Sequence, residues 1–151
     1  MTATSAAISV GEFEGLLARD LPVAGLFDFK VECISHGAAR IRLPYRATLL
    51  RPGGTVAGPG QVALADVVLY AAVMSLAGPV VQAVTTSLNV NFLRRPTPGD
   101  LIGAGRILRL GRRLAFGEVI ITVDGDPEPV AHVTGTYSLP GPRQDPAATN
   151  L

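Results

Sequence analysis

The spacing of apolar residues changes period several times along the chain. In VGEFEGLLARDLP, Phe13, Leu16 and Leu17 recur at helical spacing before Pro22 stops the run. This predicts a short amphipathic helix over residues 10–20, a lid or packing element. From Phe27 the period becomes two: FDFKVECIS and AARIRLPY alternate apolar and polar positions around the turn His36-Gly37, as the strands of a hairpin do. LLRPGGTVAGPG is dense in glycine and proline and reads as a loop. The stretch from Gly60 to Gly78 has Gln61, Asp66, Tyr70 and Ser75 as its polar side chains, and a helix apolar all round is buried all round. Four strand-like runs follow: AVTTSLNVNFL, DLIGAGRILRL, RRLAFGEVIITV and EPVAHVTGTYSL. Short turns join them, Pro96 to Gly99, Gly111, and Asp124 to Pro127, which implies antiparallel neighbours. In the third run Ala115, Gly117, Val119, Ile121 and Val123 share one face, small at one end and large at the other, as suits a sheet curving round a helix. The expected class is α+β, an antiparallel β-sheet wrapped around a long central α-helix.

Composition adds that this is one domain, 151 residues long, with a core at about residues 27–139. Hydrophobic residues make up 48% and charged residues 17%, more apolar surface than a lone domain buries, so a homo-oligomer is expected. A net charge of +1 gives no field for nucleic acid or acidic membranes. The apolar run of about 19 residues reaches the lower bound for a membrane span. Asp66 within it costs roughly 2.5 to 3.5 kcal/mol on insertion, the run is alanine-rich, and no basic cluster flanks it, so it reads as core. Cys33, the single cysteine, excludes an internal disulfide and a cysteine-based zinc site, and reads as a small buried apolar residue. The segment MTATSAAISV lacks the features of a signal peptide, so the expected location is cytoplasmic. Residues 1–9 and 141–151 are small, polar and proline-containing, and are expected to fray.

Two positions near the long helix carry the candidate chemistry. Pro59 stands at or near its first residue, where the missing N–H does no harm, so the N–H of Gly58 lies at the positive end of the helix dipole and suits an oxyanion. Asp66 lies about two turns further on. Burial of an unpaired carboxylate is costly, which points to a task; the structural alternative is a hydrogen bond to Tyr70 or to an interface partner. Gln61 reads as an exposed first-turn residue. His36, beside a turn glycine, and His132, alternating with Val130 and Thr134, read as surface or packing residues. The sequence has no metal-ligand cluster, dinucleotide fingerprint or P-loop, and no cofactor is expected.

The stretches GGTVAGPGQVALAD, AVTTSLNVNFLRRPTPGD and ILRLGRRLAFGEV resemble the hotdog-fold acyl-CoA thioesterases, in particular the PaaI-like group, over about Phe27 to Leu139. The resemblance implies hydrolysis of an acyl-CoA thioester to free acid and CoA, with Asp66 as nucleophile or general base and the Gly58 amide polarising the carbonyl from the opposite subunit. It also implies a catalytic dimer, commonly assembled into tetramers. Thr85 matches a position whose hydroxyl orients water, with Thr86 beside it as the alternative. Arg94, Arg95, Arg109, Arg112 and Arg113 flank the turns where the family binds the nucleotide end of CoA, and guanidinium groups suit phosphate oxygens. Two departures stand out: Ala57 replaces the family's common histidine before the glycine, and Arg51 replaces an asparagine earlier in the loop. A noncatalytic acyl-CoA or small-ligand binding protein of the same fold is therefore the alternative reading. Residues Val67 to Ala71 contain no histidine, which argues against dehydratase chemistry.

Overall fold

The computed structural model of the chain describes residues 3–141. Helix α1 (Val10–Asp20) begins where the Ser9 hydroxyl accepts the Glu12 N–H at 3.1 Å. Its buried stripe is Phe13, Leu16 and Leu17, as the spacing predicts. A 3₁₀ turn, Pro22–Leu26, leads into the hairpin of β1 (Lys30–Ser35) and β2 (Ala38–Leu43). The glycine- and proline-rich loop contains a miniature hairpin, β3 (Leu50–Arg51) with β4 (Thr55–Val56). Helix α2 (Gly58–Ala77) starts slightly before the expected Gly60 and is followed by β5 (Val84–Phe92), β6 (Leu101–Leu110), β7 (Leu114–Val123) and β8 (Ala131–Ser138).

The six long strands form one antiparallel sheet in the order β1-β2-β6-β7-β8-β5, with α2 packed along it. The expected inward face of β7, Ala115 to Val123 in steps of two, is buried throughout. Missing side chains bring helix and sheet together: a Cβ at Gly105 would stand 2.5 Å from Val68 Cγ1, and one at Gly135 2.6 Å from Leu69 Cδ1. Helix α2, with a mean hydropathy of 1.6, is apolar and long enough to cross a membrane, yet 72% of its most apolar window is buried inside the fold. It is a core helix.

Several expectations give way. The short connection from β5 to β6 does not join neighbours: Leu93–Asp100 crosses one end of the sheet, and β5 pairs with β8. The Leu93 and Arg94 N–H groups both donate to the Val130 carbonyl, at 2.8 and 3.3 Å, which holds that crossing in place. Cys33 is exposed, because the register slips between Val31 and Cys33 and turns it out of the core. Within the N-terminal stretch expected to fray, the Ala7 N–H donates to the Ser75 carbonyl at 2.8 Å and Ile8 is buried. Of the C-terminal tail, residues 142–151 lie outside the described residues.

The topology gives the sheet two distinct ends. At one lie the start of β5, the end of β8 and the tip of the β6–β7 hairpin; at the other lie Phe92, the β7–β8 turn and the start of β6.

Candidate active site

Asp66 projects from the middle of α2 and is half-buried. Its Oδ1 accepts the Thr85 hydroxyl at 2.6 Å and the Tyr137 phenol at 2.7 Å. Tyr137 also lies 2.7 Å from the Asp66 carbonyl oxygen. No hydrogen bond reaches Oδ2 among the described residues. A hydrogen bond to an ionised group is worth about 1.5–3 kcal/mol, so two hydroxyl donors fix this carboxylate firmly. The structural alternative of an Asp66–Tyr70 bond is not what forms: the Tyr70 hydroxyl donates to the Val81 carbonyl at 2.7 Å.

Of the two adjacent threonines, Thr85 faces Asp66, whereas Thr86 is exposed and donates to the Thr136 carbonyl at 3.2 Å. A register shift between Thr85 and Ser87 separates them. Tyr137 was not among the residues singled out by sequence. It lies in the inward-facing series Ala131, Val133, Gly135 and Tyr137 of β8, and that alternation was the available signal. Burial, and then the negative charge of Asp66, hold the Tyr137 phenol far above the usual phenol range, so it remains a donor.

Beside Asp66 opens a cavity of about 300 Å³, walled by Ala63, Val67 and Tyr70 of α2, by Tyr137, and by apolar residues of the segment after α1 such as Phe27 and Phe29. Two aromatic pairs line it: Phe27 stacks on Phe29 with centroids 5.3 Å apart, and Tyr70 on Tyr137 at 6.0 Å.

Gly58 is the first residue of α2. Pro59 has no N–H, and those of Gly60 and Gln61 donate to the Ala57 carbonyl at 3.0 and 3.4 Å, so the Gly58 N–H is the first-turn donor without an acceptor among the described residues. A Cβ at Gly58 would stand 3.3 Å from Cζ of Phe92. Gln61 is buried, not exposed: its Nε2 donates to the Val56 carbonyl at 3.3 Å and its Oε1 has no partner. Gln61 is in the first turn as expected, but its side chain lies against β4 instead of solvent.

The arginines divide. Arg94 donates to Asp126 Oδ2 and to the Glu128 carbonyl, both at 2.7 Å, and ties the β5–β6 crossing to the β7–β8 turn. Arg95, Arg109, Arg112 and Arg113 are exposed, with no carboxylate in ion-pair range among the described residues. Arg95 lies at the Phe92 end of the sheet, the other three at the hairpin tip near the start of β5. His132 is 3.0 Å from Glu118 on the outer sheet face, and His36 is an exposed turn residue.

A carboxylate is thus held beside an apolar cavity, on a helix sheathed by an antiparallel sheet. The chain belongs to the thioesterase superfamily, whose family model matches residues 53–130. Within it, the chain is a hotdog-fold protein of the PaaI-like group, which at a coarse level makes it a hydrolase. A Thermoplasma acidophilum protein provisionally named an esterase is 30% identical over 112 residues, 74% of this chain and 83% of its own length. A protein of Silicibacter sp. TM1040, solved under the provisional name of thioesterase, is 35% identical with a TM-score of 0.80, covering 92% of this chain and 96% of that one. A point mutant of the phenylacetic acid degradation protein PaaI from Thermus thermophilus is 28% identical with a TM-score of 0.69, covering 79% of this chain and 99% of that one. Tyr137 and the Phe27–Phe29 wall lie outside the family match.

Proposed function

We propose that the protein hydrolyses an acyl-CoA thioester to the free acid and CoA, with Asp66 as nucleophile or general base. The observation that carries this reading is the Asp66 carboxylate at the edge of an apolar cavity, held through one oxygen by Thr85 and Tyr137, with the other unengaged among the described residues. In the general-base route Asp66 takes a proton from a water that Thr85 orients, and that water attacks the thioester carbonyl. The carbonyl oxygen becomes an oxyanion facing the Gly58 amide. The C–S bond then breaks, and the thiolate of CoA takes up a proton. The apolar cavity receives the acyl group, and its aromatic walls suit a compact or ring-bearing one.

One copy of the chain is not enough for this chemistry. Gly58 and Asp66 are eight residues apart on one helix, hence about 12 Å along its axis. Both must approach a single carbonyl group to within about 3 Å. A homodimer resolves this if a second copy supplies the glycine. Strand β5 is a sheet edge of nine residues, a form that soluble proteins normally cover. One end of it, Thr85, touches Asp66, and the other, Phe92, touches Gly58. Antiparallel pairing of two copies of β5 about a two-fold axis therefore sets the Gly58 end of one against the Asp66 end of the other. Arg95 of the second copy, together with Arg109, Arg112 and Arg113 of the first, would then rim a single site for the phosphates of CoA.

The test is CoA release from short-chain, long-chain and aromatic acyl-CoAs by wild type and Asp66→Asn. Release that collapses in the variant is expected. Absence of release across the panel, with CoA still bound, would overturn catalysis in favour of the binding-protein reading that the loss of histidine at Ala57 raises. Mixing Asp66→Asn with Gly58→Pro chains tests the shared site: exchange of subunits leaves one intact site per mixed dimer and restores about a quarter of the wild-type rate. No recovery on verified exchange would place both groups on one chain.

A further inference from the structure

We propose that Tyr137 is a positioning residue that selects Oδ2 of Asp66 as its working oxygen, an inference that rests on Asp66 being the reacting carboxylate. The phenol oxygen lies 2.7 Å from both Oδ1 and the main-chain carbonyl oxygen of Asp66. Both acceptors carry negative charge, and without a donor between them they repel each other. One shared proton holds the carboxylate in the rotamer that keeps Oδ1 close to its own backbone. Thr85 supplies a second donor to the same Oδ1 at 2.6 Å. An ionised carboxylate offers about four lone-pair sites over two oxygens. Here the bonds from the described residues fall on one oxygen, and Oδ2 is left for substrate or water.

The phenol is itself rigid. Tyr137 is 4% exposed, stacks on Tyr70 with centroids 6.0 Å apart, and Tyr70 meets Phe13 of α1 edge-on, also at 6.0 Å. Tyr70 is anchored in turn on the Val81 carbonyl. A chain of three rings thus runs from α1 to the carboxylate. Tyr137→Phe keeps the stack and removes the bridging proton, so Oδ1 is left to Thr85 alone and its repulsion from the Asp66 backbone carbonyl is no longer offset.

The experiment compares wild type, Asp66→Asn, Tyr137→Phe, Thr85→Val and the double variant Tyr137→Phe/Thr85→Val, with the folded fraction measured by circular dichroism and rates corrected for it. The expected result is a kcat about tenfold or more lower in Tyr137→Phe with KM within about threefold of wild type. The combined loss in the double variant should differ from the product of the single losses by about threefold or more, because both donors serve one oxygen. A helix-docking role alone predicts single effects that multiply. If Tyr137→Phe fails to fold, site-specific 2,3-difluorotyrosine at 137 replaces it. That residue keeps the size and changes donor strength, and a shift in kcat above twofold is expected. Wild type active and Asp66→Asn inactive, but kcat unchanged in Tyr137→Phe or the fluorinated protein, overturns the role of Tyr137 and leaves the thioesterase reading standing. Wild type inactive on every substrate overturns both.

Discussion

The two ends of β5 meet α2 in different ways. At the Thr85 end the contact is made by side chains: two hydroxyls converge on one carboxylate oxygen, backed by a stack of aromatic rings. At the Phe92 end it is made by backbone: a glycine amide with no acceptor among the described residues, a ring lying over the glycine, and an ion-paired turn that steadies the crossing loop. The first end depends on which atoms the side chains carry, the second on which atoms are missing. Mutations at the first should therefore be read through chemistry, and at the second through space and backbone donors.

Asp66→Asn should have the largest effect, lowering kcat by about 10²–10⁴-fold in the CoA-release assay, because it removes the proton acceptor. Gly58→Pro comes next. Proline is tolerated at a helix start and deletes the N–H, and kcat should fall by about 10²–10³-fold. Its ring also presses on Phe92, which a Cβ at Gly58 would meet at 3.3 Å, so Gly58→Ala, which adds the Cβ and keeps the N–H, is the control and should lose less. Equal activity of Gly58→Pro and wild type would break the comparison, since the Phe92 end would then contribute no donor. Thr85→Val against Thr86→Val sharpens it further: the first should lower kcat by about tenfold, of the order of one hydrogen bond to an ionised group, and the second should leave it near wild type.

The smallest effect expected is a split in pH sensitivity. At the Phe92 end, the Glu128 N–H and then Arg94 hold Asp126 below its ordinary range, and Arg42 does the same for Asp124. These folded values lie below the unfolded ones, so their stabilisation is present above the ordinary carboxylate range and is lost as pH falls through the depressed values. At the Thr85 end, burial raises the Tyr70 and Tyr137 phenols. Their stabilisation is complete below the unfolded phenol value and is lost as pH climbs above about 10. Amide exchange followed by mass spectrometry should show the β7–β8 turn loosening first in acid and the start of β5 first in alkali. Simultaneous loosening in either direction would show that the ends are one cooperative unit.

The sequence pattern reached unevenly into this structure. Strict alternation made β7 legible residue by residue, and the apolar run located α2 because burial on all sides leaves no other reading. Asp66 and Gly58 could be singled out because a buried carboxylate and a proline-adjacent amide are locally anomalous. Cys33 and the choice between Thr85 and Thr86 were not legible, since each lies at a register slip that reverses the faces of the strand. The pairing of β5 with β8 was hidden by a loop short enough to suggest a hairpin, although it spans the sheet end. Tyr137 is 71 positions from Asp66, and no local pattern encodes a contact at that range.

The placement of α2 in the middle of the chain has a consequence for biosynthesis. The helix ends at Ala77, but β8, which covers Leu69 and carries Tyr137, is complete only at Ser138. At ~5–20 residues per second, a ribosome takes roughly 3–12 s to supply the intervening segment. At the start of that interval the most apolar segment of the protein has only the β1–β2 hairpin, the loop after it and α1 to lie against, and β5, β6 and β7 reach it before β8 does. Until the last strand arrives, the apolar face that β8 covers is exposed, and exposed apolar surface of that kind favours aggregation over folding.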